Sequence, residues 1–442
     1  MNIMRRVKKG LKWLLFLLLP IMLLIACNRG KSEGVSGQQN NTGAQVSEDK
    51  ESSATESSTG QGDIRMEDTT ENNITEGIAA NDTVQQPVQQ KDAAVKEPKE
   101  IRDITSTELV KEIMIGWNLG NTMDATGGGN TLSAETSWGN PRTTAEMIAA
   151  VKEAGFNTIR IPTTWGNHIG EAPDYRIDEA WLNRVQEIVD YGRVNDMYVI
   201  LNMHHEEWHF PSYDNLETAK SILTKVWAQI ADRFQNYDEH LIFEGMNEPR
   251  MKGTNFEWTG GNEESRDVVN QLNAAFVETI RNAGGNNPLR HLMIPCYAAS
   301  QDPKTWADFI VPEDDKVIVS IHAYTPYNFA LNKNGTSIWS MDNVNDTGEV
   351  DSLMNNIYNH FISKGQPVIL GEFGAVEKNG NIEARASWAE YYIRKAREKT
   401  IPCIWWDNGA FYGSGERFGL LNRRMLKWQF PEIVEALMKG LE

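Results

Sequence analysis

Leu241-Ile242-Phe243-Glu244-Gly245-Met246-Asn247-Glu248-Pro249 is a short apolar run that ends in an amide, a carboxylate and a proline. Before it, Asn215–Phe234 carries apolar residues at helical spacing, and after it so does Glu264–Ala283. The same unit recurs along the chain. Short apolar runs stand at Ile113–Asn118, Thr158–Pro162, Tyr198–His204, Leu241–Asn247, Leu292–Tyr297, Val317–Tyr324, Val368–Phe373 and Ile404–Asp407. Helical patterns fill Thr144–Ala154, Asp178–Tyr191, Val350–Ser363, Ala384–Arg397 and Phe430–Leu441 as well; only the link Asp302–Ile310 is short. Strands alternating with helices imply parallel pairing through right-handed crossovers. Eight such units over about 330 residues predict one (β/α)8 TIM barrel spanning 103–442. A doubly wound open sheet is the alternative, but no Gly-rich phosphate loop follows the first run.

The chain ahead of the barrel has a different character. Arg5, Arg6, Lys8, Lys9 and Lys12 precede an apolar run from Trp13 to Ala26. That run is shorter than the roughly 20 residues a spanning helix needs, so residues 1–27 read as a secretory signal. It ends Leu24-Ile25-Ala26-Cys27, which resembles a bacterial lipobox, where cleavage precedes the Cys and the Cys takes lipid. Each buried lipid methylene would add ~0.8 kcal/mol, enough with more than one chain for a stable membrane anchor. Residues 28–102 read as a flexible polar linker; 28–100 has no Phe, Trp or Tyr and is rich in Ser, Gly, Gln and acidic residues. An extracytoplasmic protein held at a bacterial membrane surface follows.

Of 442 residues, 43 are Lys or Arg and 61 Asp or Glu, a net charge of −18. Residues 101–442 alone hold 31 basic and 47 acidic side chains. Phosphate contacts need a basic face, so nucleic acid is not the expected partner. Cys27, Cys296 and Cys403 are the only cysteines, which excludes a disulfide scaffold. A monomer is the default expectation.

The chemistry gathers where the strands end, which in a barrel is the active face. The ends are Gly116-Trp117-Asn118-Leu119-Gly120-Asn121, Arg160-Ile161-Pro162, Asn202-Met203-His204-His205-Glu206, Asn247-Glu248-Pro249, His322-Ala323-Tyr324, Gly371-Glu372-Phe373-Gly374 and Trp405-Trp406-Asp407. One carboxylate after a strand is usually a helix cap. Many polar groups converging on one face cost free energy to bury unless they have a use. Glu248 and Glu372, on the fourth and seventh strands, face each other across a central cavity, an arrangement suited to glycosidic bond cleavage. Arg160 would keep a neighbouring carboxylate charged, and the 14 Trp suit stacking on sugar faces. His204, His205, His322, Glu248 and Glu372 are also metal-type ligands. Adjacent His204 and His205 would point to opposite faces of a strand, no Asp accompanies them in a compact set, and Arg160 would oppose a cation. No metal or organic cofactor is expected.

Taken together, these motifs resemble glycoside hydrolase family 5, retaining β-glycanases on (β/α)8 barrels, over about residues 103–442. Glu135-Thr136-Ser137-Trp138-Gly139-Asn140-Pro141 and Thr164-Trp165-Gly166-Asn167-His168 look most like its endo-β-1,4-glucanases, which often also accept xyloglucan or mixed-linkage glucan. The resemblance implies Glu248 as acid/base and Glu372 as nucleophile. It implies that Asn247 bonds the sugar 2-hydroxyl, that Arg160 holds the nucleophile ionised and that Tyr324 donates to it. His204 and His322 would line the cleavage subsite, and Trp406 would be the platform beneath the sugar, with Trp405 one register step away. Asn118 joins the supporting set. His205, Trp138, Trp165, Trp208 and Trp258 are candidates for sugar contacts or for packing. Retention requires carboxyls roughly 5–5.5 Å apart, against roughly 6.5–9.5 Å for inversion. The alternatives are β-mannanase activity on the same fold and a surface glycan-binding lipoprotein without catalysis. Cys296 and Cys403 carry no assigned role.

Overall fold

The computed structural model describes residues 100–442; the signal segment ending at Cys27 and the linker up to residue 99 lie outside the described residues. Eight parallel strands close into a barrel in chain order, as the alternation of runs and helical patterns predicts. They are β1 (Ile115–Leu119), β2 (Thr158–Ile161), β3 (Tyr198–Asn202), β4 (Leu241–Glu244), β5 (Leu292–Ser300), β6 (Val317–His322), β7 (Val368–Phe373) and β8 (Cys403–Asp407). The helices are α1 (Ser106–Glu112), α2 (Ala145–Glu153), α3 (Glu179–Val194), α4 (Tyr213–Arg233), α5 (Glu263–Arg281), α6 (Tyr327–Ala330), α7 (Val344–His360), α8 (Ile382–Arg397) and α9 (Pro431–Lys439).

Each strand is buried on both faces, which is why it reads as a nearly continuous apolar run. The pleat still sorts the side chains. Trp117, Ile159, Leu201, Phe243, Val319 and Trp405 point outward into the large core shared with the helices. Ile200, Ile242, Met293, Ile318, Ile369 and Ile404 form a separate inner plug. Leu109 and Val110 of α1, with Ile113, pack into that plug. No periodic pattern in the sequence announces α1; it starts at a capping box, in which Thr105 and Glu108 satisfy each other's backbone N–H. Ile101 is buried and Arg102 pairs with Glu239 at 2.6 Å, so packed structure is already present there.

Between β5 and β6 the short link is a single 3-10 turn, Pro303–Thr305, capped by the Asp302 side chain. The buried indole of Trp306 fills the outer layer there, its Nε1 donating to Ser300 O at 2.8 Å and its ring 5.2 Å from that of Phe361. α7 begins six residues before the predicted Val350, because Val344-Asn345-Asp346-Thr347-Gly348-Glu349 holds one large apolar residue, itself exposed, and so shows no apolar period.

Candidate active site

Two residues beyond the isoleucines of the inner plug, the barrel interior turns polar. Asn202, Glu244, Ser320, Gly371 and Trp406 occupy this layer, with Asn118 and Arg160 in register beside them. The guanidinium of Arg160 is fully buried and divides its donors among four partners. Nε donates to Glu244 Oε2 at 2.6 Å, NH1 to Glu372 Oε1 at 2.8 Å and to Asn118 Oδ1 at 3.0 Å, and NH2 to Asn247 Oδ1 at 2.7 Å. Burial opposes its charge, but Glu244 and Glu372 outweigh that and raise its pKa. Ser320 closes the other side of Glu244 with a 2.6 Å hydrogen bond. Sequence reasoning misses Glu244 because it lies inside an apolar run; its only signal is that it shares inward parity with Asn202.

Glu372 thus has Oε1 on Arg160 and accepts from the Tyr324 hydroxyl on Oε2 at 2.8 Å. Burial and the negative charge of Glu372 push Tyr324 well above its ordinary value, so it remains a donor. Gly371 leaves room for this arrangement: a Cβ there would lie 3.0 Å from Ser320 Oγ and 3.1 Å from His322 Nε2.

Glu248 stands just past β4, its Oε1 2.8 Å from His322 Nδ1 and its Oε2 3.3 Å from Arg250 NH1. One oxygen of Glu248, one of Glu372 and a ring nitrogen of His322 all lie within 4.8 Å of one another. The side chains keep 17% and 7% exposure, so both carboxylates open onto the cleft rather than being sealed under apolar groups. Burial disfavours charge on Glu248, yet the His322 contact and Arg250 outweigh it and hold the carboxyl below its ordinary range. His322 moves the other way: burial is outweighed by Glu372 and Glu248, and its pKa rises. The two groups are thus coupled through one short hydrogen bond, each shifting the proton affinity of the other.

His204 lies parallel to Trp406, ring centroids 5.7 Å apart. Its Nδ1 is 3.1 Å from Asn202 Nδ2, and the Asn202 oxygen is taken by the Thr163 N–H. Nδ1 is therefore the acceptor and Nε2 carries the hydrogen. Burial drives His204 well below its usual value, so it is neutral. Trp406 lies in register with Asn118 and faces the cleft, whereas Trp405 is fully buried and donates to Phe418 O at 3.1 Å.

Some expectations from the spacing fail. His204 and His205 do not diverge: β3 ends at Asn202, so no pleat separates them, and their rings meet at 4.5 Å. An Asp does accompany them, since atoms of Asp124, His204 and His205 fall within 4.8 Å. Its oxygens already accept from the Asn121 and Thr122 amides at 3.1 and 2.7 Å. In the Glu248–His322–Glu372 cluster the fixed charge of Arg160 opposes a cation. Among the Trp candidates, Trp138 and Trp258 are exposed near the mouth. Trp165 is fully buried, its Nε1 on Asn202 O at 2.9 Å, and Trp208 Nε1 donates to buried Glu206 at 2.6 Å. Cys296 and Cys403 are buried thiols whose pKa burial raises, Cys296 to about 11.

An eight-stranded barrel with two carboxylates facing each other at its open end defines a glycoside hydrolase. Residues 121–412 match the model of the cellulase family, glycosyl hydrolase family 5. Endoglucanase B of Neocallimastix patriciarum is 53% identical over 350 residues, covering 78% of this chain and 73% of that protein. The structure of a GH5-4 broad specificity endoglucanase from Ruminococcus champanellensis with bound cellotriose is similar at 53% identity and a TM-score of 0.75, covering 77% of this chain and 100% of that one. A family 5 lichenase from Caldicellulosiruptor sp. F32 is similar at 44% identity and a TM-score of 0.74, covering 78% of this chain and 97% of that one. The chain belongs to glycosyl hydrolase family 5, and its activity is that of an endo-β-glucanase.

Proposed function

We propose that the protein cleaves internal β-1,4 bonds of glucans with retention, Glu372 acting as nucleophile and Glu248 as acid/base. The observation that carries this is the approach of one Glu248 oxygen to within 4.8 Å of one Glu372 oxygen, which suits the roughly 5–5.5 Å spacing of a double displacement better than the roughly 6.5–9.5 Å of inversion. Glu372 forms a bond to the anomeric carbon while the bond to the leaving oxygen breaks and Glu248 protonates that oxygen. Water, deprotonated by Glu248, then displaces Glu372 and restores the starting configuration. Asn247 has its oxygen on Arg160, which leaves its amide N–H for the 2-hydroxyl. Tyr324 holds the attacking carboxylate in line. Trp406 offers its face, and neutral His204 its Nε2–H, to the same sugar. Glu372→Ala and Glu248→Ala are each expected to remove nearly all release of reducing sugar from barley β-glucan; activity within tenfold of the unaltered enzyme in either would contradict the assignment. A panel of cellulose, xyloglucan, lichenan and glucomannan is expected to show hydrolysis of more than one β-glucan, in line with the broad specificity of the Ruminococcus champanellensis relative.

We also propose that the protein is a lipoprotein displayed outside the cytoplasm, anchored through Cys27. The support is the basic segment, the short apolar run and Leu24-Ile25-Ala26-Cys27. Residues 28–99 then act as a polar tether for the catalytic barrel. Cys27→Ala is expected to leave the protein unprocessed or released; unchanged membrane fractionation would contradict the anchor.

A further inference from the structure

Arg250 follows directly on Asn247-Glu248-Pro249, and the chemistry above makes no use of it. Its guanidinium is held from several sides by one short loop. NH1 donates to the Glu248 backbone oxygen at 3.1 Å and lies 3.3 Å from Glu248 Oε2. Nε donates to Glu257 Oε1 at 3.1 Å, and the Trp258 ring covers the guanidinium face, 4.3 Å from its centroid. The loop is fastened in turn. Glu257 Oε2 accepts from Gly253 N at 2.8 Å, Met251 N donates to Tyr297 OH at 2.9 Å, and that hydroxyl donates to Phe256 O at 2.9 Å. Arg250 therefore has one orientation, set by residues that do not otherwise touch the reacting groups. Together with Glu248, His205, Phe210 and Lys252 it lines a groove of about 270 Å³ that opens beside Glu248.

We propose that Arg250 is a positioning residue for proton transfer, clamped by Glu257 and Trp258 so that its guanidinium orients the Glu248 carboxyl and stabilises the charge left there when the proton departs. This rests on Glu248 being the acid/base. In the first step Glu248 gives its proton to the leaving oxygen and becomes an anion; a cation at 3.3 Å favours that direction. In the second step Glu248 takes a proton from water, and the same cation moderates its basicity. The other charged or titratable groups facing Glu248 are His322 on β6, Tyr324 past it, Glu372 on β7, His205 past β3 and Glu416 past β8. Of these, His322 contacts the opposite carboxylate oxygen, so its ring nitrogen and the Arg250 guanidinium fix the plane of the group between them.

The test uses two substrates on the full-length enzyme. Dinitrophenyl β-cellobioside releases its leaving group without protonation; cellotetraose needs the acid. Arg250→Met is expected to lower kcat/KM on cellotetraose by about tenfold or more and to change the dinitrophenyl substrate by less than about threefold. It should also move the alkaline limb of the cellotetraose profile up by about one pH unit, because the lost cation no longer favours the Glu248 anion. Arg250→Lys should restore part of the limb position. Trp258→Ala, at an exposed ring, is expected to shift the limb in the same direction by less, and it serves if Arg250→Met does not fold. Equal losses on both substrates with an unmoved limb, or no loss on either, would overturn the proposal. Glu248→Ala is the control: it should slow cellotetraose selectively, and azide, as an external nucleophile, should speed its turnover of the dinitrophenyl substrate. If it does neither, the assignment of Glu248 falls and this proposal with it; if it does both and the Arg250 variants do not respond, only the role of Arg250 falls.

Discussion

Arg160 is the residue on which the site's order depends. It places one fixed positive charge among Glu244, Glu372 and two amide oxygens, with no solvent to replace any of them. Arg160→Met is therefore expected to cost about 3–5 kcal/mol in a denaturant titration, because two carboxylates lose their counter-charge. Arg160→Lys keeps the charge but cannot reach four acceptors from one ammonium, so kcat is expected to fall even where the fold survives. An Arg160→Lys enzyme with unaltered kcat would show that the charge alone suffices. At this scale the sequence exposes a residue when it interrupts a pattern. Glu248, Glu372, His204 and Tyr324 stand at or near the C-terminal ends of apolar runs, where polar groups draw notice, and Arg160 is a full charge in the middle of a run of only five residues. Glu244 sits within such a run, and Asp124 lies in a loop whose approach to His205 only the folded chain reveals. The adjacency of His204 and His205 misleads because it presumes a strand that in fact stops two residues earlier.

Elements show the same division between what a local pattern fixes and what packing decides. The eight strands are legible as apolar runs because both of their faces are buried, and the long crossover helices because one stripe of each faces the sheet. α1 is not, being seven residues with three buried positions, too short for a periodic signal. Inside the barrel the side-chain volume is fixed by the partner strands. A Cβ on Gly116 would lie 2.4 Å from Ile404 Cδ1 and 3.1 Å from Thr158 O. Gly116→Ala is expected to destabilise by about 1–3 kcal/mol through overpacking, read as a lowered Tm. Gly348 lies within α7, and a Cβ added there would have no neighbour inside 4 Å, so Gly348→Ala is expected to stabilise by roughly 0.5–1 kcal/mol. Tm changes of the same sign in both would contradict the packing described for the inner layer.

For the whole molecule, buried titratable groups set how stability varies with pH. Burial pushes His168, His205 and His209 to about 4 and His291 to about 3, and drives His204 well down. The unfolded chain takes up protons at these histidines from about pH 6.5 downward while the folded chain does not, so stability rises with pH over that window. Burial acts oppositely on Asp124, raised to about 6, and Glu206, raised to about 7. These keep their protons in the fold after losing them in the unfolded chain, which lowers stability as pH climbs through the same range and, for Glu206, up to about 7. His322, raised by Glu372 and Glu248 against its burial, adds a decline above its unfolded value. The lowered histidines outnumber the raised carboxyls. Tm is thus expected to climb from about pH 4.5 to about 6 and to level or fall by about pH 7.5. A Tm highest at the acid end would contradict this balance.

Catalysis in this barrel turns on Glu372 bonding covalently to the sugar while Glu248 manages the proton. A 2-deoxy-2-fluoro cellobioside with a dinitrophenolate leaving group slows both steps but lets the first run ahead, so the intermediate accumulates. Mass spectrometry after peptic digestion is expected to find one fluorocellobiosyl group per chain, on the peptide that contains Glu372, and a glucan acceptor is expected to discharge it and restore activity. An unlabelled protein under conditions where the unfluorinated substrate turns over, or a label on Glu248, would contradict it.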